Sequence, residues 1–194
     1  MPEISLTDFV DFVVKVGSPK LTKVREIKNR GEYSPALDFW KRLREGIIGF
    51  HRDSTPLDIT LSGITDRKKL RRYPAAIAGY RKFARGNDRA WFEPPVKKWI
   101  QAGLEVRVNP ELGLRINGCD TIIKLYFKDE ALTKSRLAVV FELMREAFHP
   151  SLGSATLAIM DVANGRLIQS GPPSNLGPLL IGEATSFVTI WNSI

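Results

Sequence analysis

The stretch LEVRVNPELGLRI, residues 104–116, alternates apolar and polar side chains almost without a break. Leu104, Val106, Val108, Leu112, Leu114 and Ile116 share one parity, and Glu105, Arg107, Asn109, Glu111, Gly113 and Arg115 share the other. A period of two over this length demands half-buried β-strand, because successive strand side chains point to opposite faces. Pro110 has no backbone N–H to give to a ladder, so a bend, a bulge or an edge is expected there. Asn117-Gly118 is a strong tight-turn signal, so GLRI should pair with TIIKLYF.

The surrounding segments extend this sheet. PVKKWIQAG, residues 95–103, reads as a short helix stopped by Gly103. TKSRLAVVFELMREAF reads as a helix capped by Thr133, with Leu137, Val140, Phe141, Met144 and Phe148 as its buried stripe. Arg136, Glu142, Arg145 and Glu146 are expected outside that stripe or at its margin. ATLAIMDV is nearly continuous in apolar residues, as a central strand would be. ANG then turns the chain, RLIQS returns, and LLIGEATSFVTIWNSI forms a C-terminal helix docked on the core.

Before residue 95 the pattern is helical. Ser5 or Thr7 caps a first helix over DFVDFVVKV, which Gly17 ends, and Ser5 with Asp8 resembles a capping box. Residues 18–33 fit helix or strand equally. Ser34 and Pro35 suit the start of a helix whose stripe is Leu37, Trp40, Leu43, Ile47 and Phe50. DSTPLDITLSGITD is a linker or short strand. In the basic run 66–89, Pro74 permits either a turn into one helix or two short helices, and residues 86–88 form a loop. The expected fold is α+β or α/β: a helical basic region, 1–94, and a mixed sheet flanked by helices, 95–194, either as two parts or as one compact domain. The core order from residue 95 is αβββαβ.

The 194-residue chain is long enough to bury a core. No apolar run could span a bilayer, and MPEISLTDFV lacks a basic leader, so a cytoplasmic protein without membrane partners is expected. A lone cysteine, Cys119, rules out an internal disulfide framework and a cysteine-based zinc site, and two histidines are too few for a histidine-rich one. No phosphate-binding P-loop, dinucleotide glycine motif or nucleophile elbow is present.

Charge is segregated. Residues 1–103 hold 21 Lys and Arg against 12 Asp and Glu, whereas residues 104–194 hold 8 against 9. A basic half of this kind suits a polyanion, nucleic acid above all. Its densest part is Arg67, Lys68, Lys69, Arg71 and Arg72, extended by Arg81, Lys82, Arg85 and Arg89. If these face one way they form a phosphate track whose affinity falls with salt. The plainer alternative is a solvated helix face. Tyr73 and Tyr80, interleaved with the charges, either stack on unpaired bases or pack in the core.

One lysine, Lys124, lies inside the apolar strand TIIKLYF. It either guards a sheet edge or is placed for chemistry. The order αβββαβ over roughly residues 95–162, with Glu111 opening the second strand and Lys124 in the middle of the third, resembles the core of the PD-(D/E)XK nuclease superfamily. That resemblance implies Mg²⁺ held by carboxylates and a lysine acting on the attacking water or the phosphate. On that implication Lys124, Glu111 and Asp120 would be catalytic, and Glu111, Asp120 and Asp161 would hold the metal. The match is degenerate: the position two before Lys124 is Ile122, not an acid, and Asp120 would have to replace it. The plainer roles are a bend residue for Glu111, a turn residue for Asp120 and a strand-end acid for Asp161. The functional expectation is thus a nucleic-acid-binding protein with a nuclease-like core, either active with Mg²⁺ or catalytically degenerate. The alternative is a non-enzymatic interaction or regulatory subunit, dimeric through the C-terminal helix or bound to another protein.

Overall fold

The computed structural model describes residues 1–31, 38–86 and 89–194. Strand β1 (Glu3–Ser5) leads into α1 (Leu6–Val13), α2 (Ser18–Lys28) and α3 (Lys41–Arg52), then a 3-10 turn over Leu57–Leu61. Helix α4 (Arg67–Ala84) is followed by β2 (Arg89–Phe92), β3 (Lys97–Gln101), β4 (Leu104–Val108), β5 (Leu112–Ile116) and β6 (Cys119–Tyr126). The chain closes with α5 (Lys134–Phe148), β7 (Thr156–Asp161), β8 (Arg166–Gln169) and α6 (Gly177–Ser193). The fold is α+β. The expected Ser34 cap, Pro35, Leu37 and the loop at 87–88 lie outside the described residues.

Five strands form one mixed sheet in the order β2-β5-β6-β7-β8, and three form a second sheet, β1-β4-β3. The hairpin at Asn117-Gly118 pairs β5 with β6, Leu112 opposite Ile123. The crossover through α5 makes β6 and β7 parallel, as a connection of that length permits. Leu112, Leu114, Ile123, Leu125, Ala158 and Met160 pack with α3 and α4 on one face of the large sheet. Ile122, Leu157 and Ile159 pack on the other with α1, α5, α6 and the small sheet. Both faces of β6 and β7 are therefore covered, which explains the apolar run of β7 and the apolar residues at both parities of β6.

Several expectations change. Residues 97–101 are strand β3, not a helix. Only Trp99 of the five is buried, and positive φ at Ala102 and Gly103 makes the tight turn into β4. The order αβββαβ persists with other members: α4, β2, β5, β6, α5 and β7, with β3 and β4 inserted after β2. Pro110 marks the point where the alternating stretch leaves the small sheet and enters the large one. Residues 18–28 are helical, β1 was not anticipated, and 57–61 is a 3-10 turn. Ser5 caps α1 and Thr133 caps α5, as expected.

Helix α4 runs unbroken through Pro74. Pro74 is exposed, so the Leu70 carbonyl it leaves without a donor faces solvent, where the loss is mild. At Gly79 the helix meets the β7–β8 turn: an added Cβ would lie 2.3 Å from the Val162 and Ala163 carbonyl oxygens. The division at residue 94 is not followed. β1 pairs with β4, β2 pairs with β5, and each core draws on both sides of Pro94-Pro95.

Candidate nucleic-acid interface and the Lys124–Glu111 pair

Strand β6 is central, between β5 and β7, so Lys124 does not guard an edge. Its side chain is 13% exposed and lies against Glu111, 10% exposed, with Nζ 2.5 Å from Oε1. The lysine also donates to the Asn109 carbonyl at 3.0 Å. Glu111 is the residue opposite Lys124 where β5 begins, its own N–H bonding Ile123 O. Its Oε2 accepts from the Leu125 N–H at 2.7 Å. Glu111 is thus not an exposed bend residue. It plugs the gap where the chain bends at Pro110 and leaves the β5–β6 ladder short of a backbone acceptor.

The other expected ligands do not join it. Asp120 sits four residues earlier on β6, about 13 Å away at strand rise, paired with its cross-strand partner Arg115 at 2.7 Å. The hydrogen bond and charge of Arg115 hold the Asp120 carboxyl below its usual range. Asp161 shares the Lys124 face, since Lys124 pairs with Ile159 and Tyr126 with Asp161. Its oxygens accept from Asn164 N and Nδ2 at the strand end. Among the described residues no three His, Cys, Asp or Glu side chains are grouped to hold a metal. The expected set Glu111, Asp120 and Asp161 is not assembled, and Mg²⁺ does not fit it: one acid is tied to a lysine, one to an arginine and one to a turn.

The basic run folds into α4, whose N-cap Asp66 accepts from the Lys68 and Lys69 N–H groups. At 100° per residue, Arg67, Arg71 and Lys82 fall on the arc opposite buried Tyr73, Ala76, Ile77 and Tyr80, and Arg81 falls at its flank. Arg85 follows as the exposed C-cap residue. No acid lies within the helix. The row spans about 27 Å for 18 residues. Among the described residues no acid pairs with Arg67, Lys68, Arg71, Lys82 or Arg85, while Arg72 meets Asp129 and Arg81 meets Asp58, both at 2.5 Å. These exposed pairs contribute little, about 0–1 kcal/mol each, and yield readily to a phosphate. Lys69 instead lies over the Phe39 ring, 5.9 Å from its centre. Arg89 turns inward and closes the end of α4 by donating to the Ala84 carbonyl at 2.8 Å. Tyr73 and Tyr80 are both 0% exposed, which rules out base stacking on either. Tyr73 donates to the Phe39 carbonyl, and Tyr80 bonds His51 at 2.7 Å.

A second charged cluster escaped the sequence reading. Asp8 and Asp11 on α1 flank Lys23 of α2, at 3.1 and 3.6 Å. Arg30 grips Asp8 with two 2.8 Å bonds, and Arg136 reaches Asp11 at 2.6 Å. Burial pushes the Asp8 carboxyl up, but the Arg30 hydrogen bond, the Lys23 charge and the Ser5 hydroxyl outweigh it and bring its pKa down to about 2. The signal was there: two acids three apart in the otherwise apolar DFVDFVV can share one face of a helix only with cations opposite. Glu142, expected outside its stripe, is 6% exposed and binds Arg145 and Ser174.

Comparison with protein-family models, with curated proteins and with solved structures finds no match. No helix among the described residues is long and apolar enough to cross a membrane.

Proposed function

We propose that this is a nucleic-acid-binding protein that contacts phosphates through the outer face of α4 and does not cleave. The observation that carries the reading is the row Arg67, Arg71 and Lys82 on the helix with Arg85 at its C-cap, all solvent-facing and with no acid within the helix. Such a row neutralises several phosphates and releases their counterions, which gives affinity that falls steeply with salt and little sequence preference. The element order α4-β2-β5-β6-α5-β7, with Glu111 facing Lys124, is what a nuclease-like core would have. With the three acids apart, the pair serves as a structural clamp on the bend at Pro110. Binding of single- and double-stranded DNA and RNA, followed across a salt series with and without Mg²⁺, tests the reading. Salt-sensitive binding without cutting is expected. Mg²⁺-dependent cutting lost in Lys124→Ala would replace the clamp with an active site.

A further inference from the structure

A cleft of about 620 Å³ opens between the start of α1, α3, β2 and the bend from β4 to β5. We propose that it binds a nucleoside phosphate. This site is distinct from the outer face of α4 and does not rest on that reading. Its volume falls in the range of small-molecule sites and exceeds what a bare phosphate needs.

The lining divides into two halves. One is cationic: Arg30, Arg44, Arg52 and Arg107 ring the opening, and Lys124 lies at the floor. Of the acids that line it, Asp8 is held by Arg30, Asp38 by Arg44 and Glu111 by Lys124. Glu93, exposed at the rim, is the lining acid that no cation among the described residues neutralises, and Arg52 is itself paired with Asp53, so an incoming anion is drawn to the Arg30 and Arg107 side. Arg30 spends two of its N–H donors on Asp8 and keeps the others. Arg107 is exposed, and no acid among the described residues pairs with it. A planar guanidinium without a carboxylate, at the mouth of a cleft, suits a phosphate held by two parallel hydrogen bonds. The other half is apolar and flat: the half-buried Trp91 with Ile48, Pro94, Pro110 and the 55% exposed Val96. An indole edged by prolines takes a planar heterocycle. Phosphate on the arginines and a base on the Trp91 side satisfy both halves with one ligand.

Calorimetry on the full chain, with AMP, GMP, adenosine and inorganic phosphate as probes, tests this. One-to-one binding of AMP or GMP is expected, with adenosine and inorganic phosphate each at least about tenfold weaker, since each fills one half only. Arg107→Ala should weaken the nucleotide about tenfold, the loss of one charged hydrogen-bonding partner. As Arg107 is exposed, that variant should keep its melting temperature. Trp91→Leu should weaken AMP while leaving inorganic phosphate unchanged, and Arg67→Ala with Arg71→Ala should leave AMP binding intact. A short single strand, with and without a 5′-phosphate, separates the two sources of this chemistry. Binding of free AMP assigns a nucleotide, and Arg107-dependent binding of the phosphorylated strand alone assigns a strand end. Binding of neither at millimolar concentration overturns the proposal. So does binding that ignores both Arg107→Ala and Trp91→Leu, or that is lost in the Arg67, Arg71 variant.

Discussion

Glu111 Oε1 lies 2.5 Å from Lys124 Nζ, and Glu111 Oε2 accepts the Leu125 N–H. One side chain thus ties a buried cation and a strand backbone to the bend at Pro110. Breaking such a pair costs more than the pair itself contributes, because a buried charge is left alone. Lys124→Met and Glu111→Gln should each destabilise the fold by about 3 kcal/mol, since each leaves the other group of the buried pair without its partner. Urea denaturation of both single variants and the double variant measures this. The double variant should be less destabilised than the sum of the two.

The Asp8 cluster sets the response to acid. The Asp8 carboxyl has a pKa of about 2 in the fold, below the usual carboxylate value near 4. Its stabilisation, about 2 kcal/mol, is fully present above the unfolded value and is lost as pH falls through the folded one. Stability measured by urea midpoint should therefore decline between about pH 4 and pH 2. Asp8→Asn should flatten that decline and lower stability at neutral pH.

His51 adds a slope at higher pH. Burial and then the charge of Arg89 hold its pKa down to about 4, so the ring bonded to Tyr80 is neutral in the fold. The unfolded chain takes up the proton near pH 6.5. Stability is thus full above that value and falls as pH drops towards 4, by up to about 3 kcal/mol. An NMR titration of the His51 ring should give a midpoint near 4, and His51→Phe should remove this part of the pH dependence.

Gly79 is where α4 touches the β7–β8 turn. A methyl there would meet two carbonyl oxygens at 2.3 Å, which neither helix nor turn can give way to cheaply. Gly79→Ala should lower stability by about 2–3 kcal/mol despite its better helix propensity. A thermal melt checks it.

How far the sequence carried the fold depended on how local each signal was. The hairpin at Asn117-Gly118, the caps Ser5 and Thr133 and the run TLAIMD were legible because each depends on neighbours within a few residues. Strand β3 was not, because only its pairing with β4 outweighs a helix-compatible composition. Nor could the sequence show that Val108 and Leu112, in one alternating stretch, belong to different sheets. At the site, Glu111 and Lys124 stood out as single residues, but their contact did not, because it depends on how β5 and β6 pair beyond the turn. Asp120 shared their parity along β6, but parity says nothing of distance, and Arg115 holds it at the far end. The Asp8–Lys23–Asp11 cluster joins α1 and α2 to Arg136 on the distant α5, a contact that no local pattern specifies.

The proposed function rests on the outer face of α4, and the most direct measurement is the salt dependence of DNA binding for the wild type and an Arg67→Ala, Arg71→Ala, Lys82→Ala, Arg85→Ala variant. All four side chains are exposed, so the variant should melt as the wild type does. The logarithm of the binding constant should fall linearly with the logarithm of salt, with a slope reduced by about 3–4 in the variant, near one for each lost phosphate contact. Equal affinity and equal slope in the two proteins, or no binding by the wild type at low salt, would contradict the proposed function.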